Sequence, residues 1–198
     1  MALKQRNTTR LAARVGTWIA VAVSFLIEVL KSFLNIKKGD GFLKKGKKTI
    51  DLIIRRALYF VADYGLTVVS VSIFTAMKAL EFPFLWTFVS LWAFDFVVAG
   101  AFIVVFEKTG KDLSLGVDFR RATDTINGRS RLAGFVTTVW IIFLSIVWTG
   151  PEKIITFFRK EIGTIHRLVM VLIALTVIQS FIWTILYGVG YSLVTKLF

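Results

Sequence analysis

Four apolar stretches, residues 57–77, 83–106, 132–149 and 168–190, constrain this chain more than any other feature, each approaching the roughly 20 residues a helix needs to cross a bilayer core. Hydrocarbon offers no water to an unpaired backbone, so segments of that length and character must be helical. Hydrophobic residues make up 56% of the 198, above the ~45–50% of a soluble domain. The expected fold is an all-α, polytopic integral membrane protein with four transmembrane helices, preceded by an N-terminal amphipathic, interfacial helix.

Several chemistries are excluded at once. The chain has no cysteine and one histidine, His166, which leaves no disulfide, thiolate metal site or iron–sulfur cluster and no multi-histidine centre. No metal and no cofactor is expected. The net charge of +13 would suggest nucleic acid in a soluble protein. Here the basic residues flank apolar segments, as anchors to anionic lipid headgroups do, and no nucleic-acid partner is expected. Lys37, Lys38, Lys44, Lys45, Lys47 and Lys48 are the densest such group and are read as lipid-facing.

The basic residues also set an expected topology. Residues 37–56 and 107–131 hold clusters of positives and the turn 78–82 holds one, so both termini are expected in the cytoplasm, of a bacterial inner membrane or, in an organelle, facing the matrix. The loop 150–167 then falls on the opposite side despite Lys153, Arg159, Lys160 and Arg167. Residues 18–27 resemble a signal-peptide core, but Glu28, Val29, Leu30 and Lys31 follow instead of a cleavage site, so the segment is expected to be retained.

Two regions are delimited. Residues 1–56 form a basic N-terminal region, in which Arg10, Arg14, Thr17, Ser24, Glu28, Lys31 and Asn35 make a narrow polar stripe interrupted by Val21. A helix so patterned is read as lying on or shallowly in the membrane, with Gly39, Gly41 and Gly46 among the lysines as a flexible hinge. Residues 57–198 form the four-helix transmembrane bundle, with a cytoplasmic loop 107–131 and an interfacial helix 151–165. Pro151 suits the first turn of that helix, and Ile154, Ile155, Phe157, Phe158, Ile162 and Ile165 give it a broad apolar side expected to rest on the outer surface. Trp86 and Trp148 are placed at the outer ends of their spans.

Polar groups within the spans are the candidates for function. A carboxylate at the bilayer centre costs at least about 2.5–3.5 kcal/mol, so Asp63 and Asp95 must be satisfied by something. Counted from the cytoplasmic ends at ~1.5 Å per residue, Asp95 lies about 17 Å deep, Gln179 about 16 Å, Thr67 about 15 Å, and Ser70 and Ser145 about 20 Å. These five can meet inside one bundle, with Asp63 shallower on the face that carries Thr67 and Ser70. One reading makes Asp95 a protonated donor fixing helix register, with Gln179 and Thr67 as acceptors. The other makes Asp63, Thr67 and Asp95 steps on a proton or cation path.

Thr176, Ser180, Thr184, Gly188 and Ser192 recur every four positions, a ladder of small residues that lets two helices approach closely, against either the chain's own third span or another subunit. Asp112, Asp118 and Asp124 lie among arginines in the 107–131 loop, but a spacing of six places them on no common helical face.

The leading functional expectation is a non-enzymatic integral membrane subunit, acting through helix packing in a homo-oligomer or a larger membrane complex and touching anionic lipid. The alternative is a small proton or cation channel or transporter using Asp95 and Asp63, and a membrane lipid-modifying enzyme ranks behind both.

Overall fold

The computed structural model describes residues 20–37 and 39–197. Helices α1 (20–33), α2 (Phe42–Ala79), α3 (Phe84–Thr109), α4 (Gly116–Arg129) and α5 (Arg131–Leu144) are followed by a π-helical turn, Ser145–Thr149. Then come α6 (Pro151–Phe157), α7 (Arg159–Ile162) and α8 (Ile165–Leu197). Four helices, Phe42–Ala79, Phe84–Thr109, Arg131–Thr149 and Ile165–Lys196, are long and apolar enough to cross a membrane. Their outward residues, among them Val61, Val68, Val97, Val104, Phe135 and Ile178, are apolar and exposed. A surface of that kind suits acyl chains, and the protein is a multi-pass membrane protein.

The ends of these helices follow local chemistry. Pro83 stands just before α3, and Gly110, at φ 66°, closes it in the left-handed region that glycine adopts without penalty. Ser130 caps α5, its hydroxyl accepting from the Ala133 amide at 3.3 Å. Gly150, at φ 97°, and Pro151 break the apolar run and begin α6.

Helices α2, α3 and α8 form the bundle. Helix α3 runs antiparallel to α8, with Trp92 beside Thr176, Asp95 beside Ser180 and Gly100 against Leu172. Helix α2 turns directly into α3 and runs parallel to α8, bringing Phe74 to Tyr187 and Tyr191. Ile155 of α6 enters the core formed by Ala99, Ile103, Leu168 and Leu172. Within lipid such contacts act through close packing, because acyl chains are as apolar as the side chains they replace.

Several expectations are corrected. The segment 151–165 is not an interfacial helix on the far surface: all seven residues of α6 are buried. The chain turns at Gly150 beside α2 and comes back, so that Arg159 pairs with Glu107 and Arg120 with Glu161 at 2.6 Å. Residues 150–167 therefore share one end of the bundle with 107–131. Their four cations join the other positives, which removes the conflict that the sequence-based topology carried. Helix α8 then runs away from Glu107 and finishes by the α2–α3 turn, not at the end where α2 begins. Trp148, expected at an outer boundary, stands at the turn-back instead.

Of the three glycines read as a hinge, Gly46 lies within the first turns of α2, while Gly39, at φ 99°, and Gly41 stand in the turn that precedes it. Arg10, Arg14, Thr17 and Lys38 lie outside the described residues. The described part of the amphipathic helix, α1, docks on α4: Thr125 donates to Ser32 Oγ at 2.7 Å, Glu28 pairs with Arg129, and Phe33 meets Phe119 edge-on.

Candidate functional site

At mid-height the bundle forms a half-open cavity of about 90 Å³, with Trp148 and Thr67 at its exposed edge. Helix α2 contributes Asp63, Thr67 and Ser70, three residues of one face, α3 contributes Asp95, α8 contributes Gln179 and Tyr187, and the turn-back contributes Trp148 and Glu152. Three carboxylates from three elements thus line one space whose lining holds no lysine or arginine.

Each carboxylate is held differently. Asp95 Oδ2 accepts a hydrogen bond from Ser180 Oγ at 2.5 Å. The Thr67 hydroxyl donates to the Asp63 backbone carbonyl at 2.8 Å, leaving the Asp63 carboxylate on the cavity wall. Glu152, 4% exposed, lies 2.5 Å from the Tyr59 hydroxyl, which also contacts the Thr149 carbonyl. A phenol has one proton for these two neighbours. A Glu152 that carries its own proton satisfies all three groups, donating to Tyr59 while Tyr59 donates to Thr149.

The cations gather outside the cavity, toward the Glu107 end. Arg56 and Lys153 lie 5.6 and 5.9 Å from the centre of the Tyr59 ring, and Lys153 also sits 5.4 Å from that of Phe119. Beyond them Asp118 bridges Arg55 at 3.2 Å and Arg121 at 2.8 Å. Burial raises the Asp118 pKa, and the two arginines oppose the rise. Asp112 caps α4, accepting from the Val117 amide at 2.7 Å and from Ser114 Oγ at 2.6 Å, and Ser114 meets Thr156 of α6 at 2.9 Å. These bonds tie α2, α4 and α6 together around the site.

The structure brings Asp63, Thr67, Ser70, Asp95 and Gln179 to one cavity. Ser145 does not line it: the residue is fully buried in the π-helical turn, its hydroxyl without a partner. Gln179 and Thr67 are not the acceptors expected for Asp95. Ser180 is its partner, and the Gln179 carbonyl oxygen is buried and unpaired. Thr176, Ser180 and Thr184 are buried against α3, the second span, not the third. Gly188 and Ser192 continue the ladder past that contact, with Ser192 exposed. Of the lysines read as lipid-facing, Lys44 and Lys48 engage Asp40, at 3.2 and 2.6 Å, and Lys45 and Lys47 are exposed.

Tyr59, Glu152 and Lys153 are the site residues that sequence reasoning missed. Their one signal was a Gly150-Pro151 break followed by two charges within an apolar run. Comparison with protein-family models, with curated proteins and with solved structures finds no match to this chain, so the site is read from its own chemistry. Among the described residues no three acidic or imidazole groups converge tightly enough to hold one metal ion.

Proposed function

We propose that this chain is a non-enzymatic membrane protein that moves protons or small monovalent cations, with the mid-bundle cavity as its binding stop. One observation carries the reading: Asp63, Asp95 and Glu152 line a cavity with room for a few waters and no basic side chain among its walls. Intramembrane carboxylates around a wet space are the arrangement that proton relays and ion paths use. Water in the cavity bridges the three carboxylates, and the Tyr59 hydroxyl completes Glu152's hydrogen bonding as its proton comes and goes. The positive-inside rule places the Glu107 end, with its basic loops and α1, in the cytoplasm and the end of α8 on the other side.

Proton flux into liposomes holding the purified protein, driven by an imposed potential and followed with an enclosed pH dye, tests this. Wild type is expected to conduct, and Asp95→Asn and Glu152→Gln to fall to the background of empty liposomes while keeping the wild-type melting temperature. Conduction unaltered in both variants would remove the path.

A second reading, a packing subunit of a homo-oligomer or larger complex, draws on the wide apolar face that Leu132, Phe135, Val136, Trp140 and Phe143 of α5 leave exposed. Native mass spectrometry after gentle extraction separates the readings. Foreign chains at fixed stoichiometry, together with no flux from the isolated protein, favour the subunit.

A further inference from the structure

A second concavity lies at the end of the bundle away from Glu107. Past Thr184 helix α8 runs on, and between it, the last turns of α2 and the start of α3 is a groove of about 710 Å³. Phe74, Phe84, Ile185, Val189 and Leu193 give it apolar walls, and Gly188 keeps its floor low, with no atom within 4 Å of where a Cβ would stand. Lys78, in the last turn of α2, and Lys196, in the last turn of α8, stand at the rim. The lining contains no acid. Lys78 lays its ammonium 5.9 Å from the centre of the Phe74 ring.

We propose that this groove binds one anionic phospholipid, an acyl chain along Gly188 and its apolar walls and the phosphate between Lys78 and Lys196. The vertical order of the groove matches that of the lipid. Apolar walls occupy the depth of the chains, and two cations stand where the spans end and headgroups begin. The competing occupant is a second copy of this chain, since Gly188 and Ser192 prolong the small-residue ladder. A two-fold contact through the groove would set Lys78 and Lys196 of each copy against those of the other with no acid in the groove walls to separate them, Glu81 standing in the α2–α3 turn outside it, a repulsion that low dielectric strengthens. A phosphate instead neutralises both lysines.

The full chain, in nanodiscs of phosphatidylcholine with an equal share of phosphatidylglycerol, is released and weighed by native mass spectrometry. Wild type is expected to keep one phosphatidylglycerol in preference to phosphatidylcholine. The double variant Lys78→Gln, Lys196→Gln should lose that preference by about thirtyfold, the attraction that two lysines near a surface supply. Gly188→Leu, which fills the groove, should shed the bound lipid of either kind. Equal retention of the two lipids by wild type, or an unchanged ratio in the double variant, would overturn the proposal, as would a dimer in place of the lipid-bound monomer. Both lysines lie at helix ends, so the double variant carries the test if Gly188→Leu fails to fold.

Discussion

Tyr59 is 2% exposed, and among the described residues its hydroxyl is the one hydrogen-bond partner that another helix brings to the Glu152 side chain. Tyr59→Phe would leave the Thr149 carbonyl short of a partner and take from Glu152 its bond to the phenol. Unfolding in detergent should register a loss of about 1–3 kcal/mol. Glu152→Gln keeps a donor to the phenol in its amide and should leave stability near that of wild type, so a loss equal to that of Tyr59→Phe would deny the hydrogen-bond chain. Asp118 makes the opposite case about charge. Its carboxylate is 3% exposed between Arg55 and Arg121, and Asp118→Ala would take from Arg121 its bridge and from Arg55 one of two carboxylate partners, Asp51 remaining, which should cost about 1–3 kcal/mol. Asp124, 60% exposed beside Arg120, should lose under about 1 kcal/mol on the same change. Similar losses at the two positions would place Asp118 outside the structural lock.

Helices α4 and α6 come together at Gly116, where a Cβ would strike the Thr156 side chain and the backbone of Lys153 and Phe157. Backbone cannot yield as a flexible side chain can, so Gly116→Val should destabilise by about 1–3 kcal/mol and free α4 from the bundle, measurable as a lower melting temperature. Gly65, in the interior of α2, has open space around it, and Gly65→Ala should stabilise by up to about 1 kcal/mol. The turn into α2 depends on Asp40. Hydrogen bonds from the Lys48 ammonium and the Lys37 amide, at 2.6 and 2.9 Å, hold its carboxyl below the usual carboxylate range. Its folded-state value is depressed, so its contribution is complete above the unfolded value near ~3.9 and is lost as pH falls through the folded one. Protection of the Lys37 amide, its exchange measured against the intrinsic rate at the same pH, should fall under that acidification, and Asp40→Asn should show the lower protection at every pH.

At the scale of the molecule, what could be read in advance was what length and period impose. Apolar runs of bilayer length had to be helices, and Asp63, Thr67 and Ser70, at spacings of four and three, had to share a face. The turn-back at Gly150 could not be read that way. Whether an apolar helix crosses or returns depends on what receives the next residues, and Glu152 finds Tyr59 93 positions away in sequence. Counting Lys153, Arg159, Lys160 and Arg167 as a violated charge rule was the available hint. The chain has no cysteine, so single cysteines at Lys111, Lys160 and Glu81 can report sidedness directly. An impermeant thiol reagent should label Lys111→Cys and Lys160→Cys from the same side and Glu81→Cys from the other. The cavity itself is tested most directly by proton flux through Glu152→Gln against wild type in sealed liposomes. A conducting wild type and a silent, fully folded variant are predicted, and a variant that conducts as wild type does would contradict a cavity that works through its carboxylates.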